Sequence, residues 1–134
     1  MSTLAAEMST LAGRLSVLGA RFGPAVALMA VIFTFSATPG SDLPHFGVWN
    51  LLVKKGGHAL GYALLGAAYA HAFSPLARPS RRQTALAVGL AALYALSDEW
   101  HQSLTPGRHP ALSDVLIDTL GAWLGVSVYR RWRR

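Results

Sequence analysis

The side chains able to do chemistry in this 134-residue chain are few and grouped. In DEWHQSLTPGR, residues 98–108, two carboxylates (Asp98, Glu99), an imidazole (His101), an amide (Gln102) and a guanidinium (Arg108) follow directly on an apolar run. Lys55, His58 and Tyr62 stand at i, i+3, i+7, and Asp114 and Asp118 at i, i+4, so each set shares one helix face. A carboxylate with an imidazole is equipped for acid–base work, and Lys and Arg are equipped to hold a phosphate-like anion. Should the chain be an enzyme, which its sequence leaves open, His101 and Asp98 are the expected acid–base pair. Glu99 or Asp114 would orient them or hold a metal, and phosphoryl or acyl transfer would be the reaction class. The expected binding residues are Lys55, His58, Tyr62, Gln102, Arg108 and Asp118. The absence of cysteine removes disulfides, thiolate metal sites and Cys nucleophiles. No P-loop, Gly-rich fingerprint or nucleophile elbow is present. A His/carboxylate metal site lacks compact ligand spacing, so the sequence names neither a metal nor any other cofactor.

These residues must be positioned by apolar elements. The chain is 52% hydrophobic and only 13% charged, against about 25% charged in an ordinary soluble domain. Four apolar stretches, at 22–37, 56–73, 84–100 and 112–129, approach the ~17–25 residues of a membrane-spanning helix. None carries the charged stripe of a soluble bundle helix, and no alternating pattern points to strands. The expectation is an all-α membrane protein: a four-helix transmembrane bundle with short loops, occupying residues 22–134. Residues 1–21 are weakly amphipathic and are read as either an interfacial helix or a disordered leader, without the apolar core of a signal peptide. A short apolar piece at Val48–Val53 is expected along the interface. Gly121 and Gly125 lie on the Asp114–Asp118 face, where they would let a neighbouring helix approach closely.

Charge orients such a bundle. With four spans, both termini share a side with the 74–83 loop, which collects nine of the twelve basic residues. The positive-inside rule then puts both termini in the cytoplasm of a bacterial inner-membrane protein. The net charge of +6 reflects this topology and attraction to anionic lipid, not nucleic-acid binding. Asp42, Asp98, Glu99, Asp114 and Asp118 all fall on the opposite side. The ionisable groups of the second, third and fourth spans therefore meet at one membrane level, where they suit an anionic headgroup. The competing reading is structural: an ion-pair network pinning a loop to helix ends, with Lys55 snorkelling and Ser113 capping the fourth helix. His71 lies too deep for the cluster, and His45 and His109 are loop residues.

SATPGSDLP, KGGHALGYALLG (55–66), SDEWHQSLTPGR (97–108) and LSDVLIDTLGAWLG (112–125), in this order and spacing, resemble the VanZ-like family of small membrane proteins. The family's polar motif positions fall on Lys55, His58, Tyr62, Asp98, Glu99, His101, Gln102, Pro106, Gly107, Arg108, Asp114 and Gly121. Two positions depart from it: Lys54 stands where the family often has Asp, and Asp118 where it often has Asn. The resemblance implies a link to cell-envelope stress and to low-level resistance to the glycopeptide teicoplanin. It makes the bilayer, a lipid-linked envelope precursor or a glycopeptide the expected partners, with an accessory, non-enzymatic role as the alternative.

Overall fold

The computed structural model describes residues 2–133, and among them there are helices and no strands. Helix α1 runs from Ser2 to Ala37, α2 from Asn50 to Phe73, α3 from Arg81 to Ser103 and α4 from Leu112 to Trp132. Two single 3-10 turns, Gly40–Asp42 and Gly47–Trp49, shape the α1–α2 connection. The apolar piece expected along an interface is thus the last turn of that connection and the first turn of α2, with Val48, Leu51 and Leu52 exposed. α1 is continuous through the segment read as a leader, and residues 5–21 are exposed on every face. Its 36 residues make it about 54 Å long, well beyond the other helices.

Two helices, over Ala5–Ala37 and Leu112–Trp132, are long and apolar enough to cross a membrane. α2 and α3 fall short because polar groups occupy their ends and glycines lower α2 further: Lys54, Lys55 and His58 in α2, Arg81, Arg82, Asp98, Glu99 and His101 in α3. Packing runs opposite to that of a soluble domain. The core is made of small residues, among them Ala87, Ala91 and Ala95 in a line along α3, around a few large ones such as Tyr62, Leu65 and Val126. Large apolar side chains face outward, including Phe33, Leu64, Leu93, Leu120 and Trp123.

α2 and α4 make the most extensive contact and run parallel. The reason is glycine: a Cβ on Gly121 or Gly125 would run into the main chain of Ala59 or Ala63. Only hydrogen at those positions lets two backbones touch, as small residues spaced four apart do in membrane helices. On the other side of this contact, a Cβ on Gly66 would come within 2.5 Å of the Ala122 carbonyl oxygen.

The C-terminal ends of α1 and α3 and the N-terminal ends of α2 and α4 meet at one end of the bundle. Gly40 N–H donates to the Pro106 carbonyl at 3.1 Å, tying the two loops there together, and Gly107 adopts the left-handed conformation (φ +70°) that glycine tolerates. At the other end, Ser80 and Gln83 form a reciprocal capping box at the start of α3, and Gln83 Nε2 donates to the Phe73 carbonyl. There too Tyr129 donates its hydroxyl hydrogen to the Ser74 carbonyl at 3.0 Å, with His71 Nδ1 3.3 Å from the Tyr129 hydroxyl oxygen. His71 is therefore remote from the polar cluster, and His45 and His109 are exposed in loops.

Candidate functional site

The close α2–α4 contact sets the geometry of the polar end. One turn above the glycine contact, His58 Nδ1 lies 3.4 Å from Asp118 Oδ2. A further turn out, Lys55 Nζ donates to Asp114 Oδ1 at 2.5 Å. The two pairs form a graded stack. Lys55 and Asp114 keep 33% and 26% of their side-chain surface and His58 27%, whereas Asp118 is fully buried. Below His58 the Tyr62 ring stacks at 6.5 Å between centroids, itself fully buried.

α3 supplies the second wall. Asp98, 4% exposed, accepts from Gln102 Nε2 at 3.0 Å, and the same nitrogen lies 3.2 Å from Ser36 Oγ of α1. Tyr94, one turn earlier on the same face, has its ring 6.2 Å from Tyr62 and donates to the Met29 carbonyl. Asp98, Glu99 and Asp118 all lie within Coulombic reach of His58. The structure thus brings Lys55, His58, Tyr62, Asp98, Glu99, Gln102, Asp114 and Asp118 to one end of the bundle.

Three expected residues have specific local tasks. Glu99 Oε2 accepts the Ala111 N–H at 2.7 Å, so a carboxylate from α3 holds the start of α4. That replaces Ser113 as cap: α4 begins before Ser113, whose hydroxyl donates to Asp114 Oδ1 at 3.3 Å. Arg108 donates from Nε to the Thr38 carbonyl at 3.1 Å, just past the end of α1, and from Nη2 to the Phe35 carbonyl in its last turn, which also accepts the Thr38 N–H at 3.3 Å. Burial lowers the Arg108 guanidinium's pKa from its ordinary value, while the charges of Asp98 and Glu99 pull it back up. His101 packs its ring on Phe33 at 4.7 Å between centroids. No hydrogen bond joins it to Asp98, so the imidazole–carboxylate contact of this site is His58–Asp118.

Several buried polar atoms here have no protein partner: Tyr62 OH, Asp118 Oδ1, Glu99 Oε1 and His101 Nδ1. Among the described residues no three His, Asp or Glu side chains are placed to hold a single metal ion. Ser36, Thr38 and Tyr94 join the site without having been expected. For Ser36 and Thr38 the available signal was a pair of hydroxyls closing an apolar stretch, and for Tyr94 its position one helical turn before Asp98.

No curated protein and no solved structure matches this chain. The VanZ/LLP1 family matches residues 22–133, which include every residue of the polar end. Together with the two apolar helices, the match points to a membrane protein. The sequence motifs, the helices that carry them and this match over most of the chain agree: the protein belongs to the VanZ/LLP1 family.

Proposed function

We propose that the protein is a four-span inner-membrane protein with both termini in the cytoplasm, whose polar end faces outward and binds the headgroup of an anionic lipid or lipid-linked envelope precursor. The observation that carries this reading is the graded stack on α2 and α4. Half-exposed Lys55, Asp114 and His58 stand over fully buried Tyr62 and Asp118, whose free polar atoms are otherwise unexplained. Ionisable groups inside an apolar-surfaced bundle are expensive to keep and usually serve a ligand or a pathway. Basic residues gathered at the opposite end, Arg78, Arg81, Arg82, Arg130 and Arg131, support the orientation. The cellular role that follows from the family is in the envelope and its response to the glycopeptide teicoplanin. Any proton transfer at the site would run through His58, whose part-exposed ring contacts the fully buried Asp118.

A second reading, a non-enzymatic accessory protein whose network serves the fold, draws support from Arg108 and Glu99, both hydrogen-bonded to main chain. One set of variants separates the two. Lys55→Met, His58→Gln and Asp114→Asn, each checked for monodispersity in detergent, are expected to lose lipid retention and the envelope phenotype while staying folded. Collapse of all three would favour the structural reading. For topology, a cysteine introduced at Ser41 of this cysteine-free chain should react with a membrane-impermeant maleimide in intact cells. One introduced at Ser80 should react only after lysis, and the reverse result would refute the orientation.

A further inference from the structure

The unpartnered atoms of the polar end say more about the ligand than its charge alone. An anion by itself would meet four carboxylates, Asp98, Glu99, Asp114 and Asp118, facing only two permanent cations, Lys55 and Arg108. Arg108 already directs two of its nitrogens to carbonyls at the end of α1. Asp118 Oδ1, on a fully buried side chain, and Glu99 Oε1, on one 7% exposed, have no donor within reach. Ionised carboxylate oxygens only accept hydrogen bonds, and each one buried without a donor is costly. Tyr62 OH, also fully buried and without a partner within 3.5 Å, lies near Asp98 and Asp118 at the same end of the bundle. These unpaired carboxylate oxygens therefore call for a donor of positive charge in the interior, while the half-exposed Lys55 ammonium calls for an anion at the mouth.

Building on the headgroup reading above, and narrowing it from a net-anionic lipid to one whose anionic phosphate is accompanied by a primary ammonium, we propose that the site takes a lipid headgroup carrying both groups, with the phosphate on Lys55 and the ammonium against Asp118 and Glu99. Three N–H donors on such an ammonium match the free acceptors, and its charge relieves the carboxylate repulsion that a phosphate alone would worsen. His58, in contact with Asp118, lies between the two positions.

The test is competition on the full-length protein in detergent, read by native mass spectrometry. Phosphatidylethanolamine, phosphatidylglycerol and N-acyl-phosphatidylethanolamine are supplied together, distinguished by chain length. The first has phosphate and ammonium, and the other two keep the phosphate without the ammonium. Phosphatidylethanolamine is expected to be retained about tenfold better, the scale of one charge-assisted hydrogen bond. Asp118→Asn and Glu99→Gln should each shrink that preference towards parity, while Lys55→Met should weaken all three lipids. Free phosphoethanolamine should displace the bound lipid where glycerol phosphate does not. Equal retention of the three lipids, equal displacement by the two free headgroups, or a preference untouched by both carboxylate variants would overturn the ammonium assignment and leave the broader headgroup reading standing. Retention of no lipid above the Lys55→Met level would defeat both.

Discussion

Alanine at Gly125 tests the central feature of the fold, the backbone-to-backbone contact of α2 and α4. On an exposed helix face this change is favourable by about 0.5–1 kcal/mol, because alanine has the higher helix propensity. Here the added methyl would meet the Ala63 main chain, which cannot rotate away as a side chain would. The helices must separate, and overpacking of this kind costs about 1–3 kcal/mol. For a chain of this size that corresponds to a fall in melting temperature of roughly 4–12 °C. The matched control is Gly89→Ala on α3, where nothing lies within 4 Å of the added carbon and the sign should reverse. Both variants would be purified in the same detergent and followed by fluorescence-monitored thermal unfolding. Gly125→Ala should also disturb the polar end, because the same contact fixes the spacing of His58 and Asp118. A Gly125→Ala protein as stable as the parent, or a Gly89→Ala protein equally damaged, would refute the packing argument.

Arg108→Met should leave the Thr38 carbonyl without its donor and the Phe35 carbonyl with the Thr38 N–H alone, and cost about 1–3 kcal/mol, seen as faster hydrogen exchange and proteolysis in the 38–49 loop. Arg108→Lys should recover only part of this, since a single ammonium lacks the planar fork that reaches both oxygens. Glu99→Ala should fray the start of α4 by about 1 kcal/mol, with the Ala111 amide exchanging faster, whereas Glu99→Gln keeps an acceptor and should be milder. A double-mutant cycle on Lys55→Met and Asp114→Asn should give a coupling of about 0.5–1 kcal/mol that shrinks with added salt, as for other half-exposed pairs. A coupling insensitive to salt would mean that the pair is not solvated as described.

Much of this protein is written in local pattern. The ends of α3 and α4 and the C-terminal end of α2 fall within three residues of the stretches at 84–100, 112–129 and 56–73, whereas α2 starts six residues early and takes in the apolar piece read as interfacial. Helical spacing placed Lys55, His58 and Tyr62 on one face and Asp114 and Asp118 on another, and the same spacing extended the second face to Gly121 and Gly125. These are properties of a single helix, set by 3.6 residues per turn. The extent of α1 was less legible, because its first half is neither strongly apolar nor cleanly amphipathic.

Which group meets which was decided by the tertiary structure. In helices apolar all round, hydropathy does not distinguish the core side from the outer side, so rotation and lateral order stay open. The sequence offered no reason to prefer α2 as the close neighbour of α4, and that choice joins His58 to Asp118 while leaving His101 against Phe33. Nor could it show that Arg108 and Glu99 would bond to main chain, since the Phe35 and Thr38 carbonyls and the Ala111 N–H are identical in kind to every other backbone group. They become distinctive only once helix ends and loops are brought together in space. Composition and period thus determined that ionisable groups gather at one end of these helices. The approach of two glycine-faced backbones decided which of them form pairs and which buried oxygens are left without a donor.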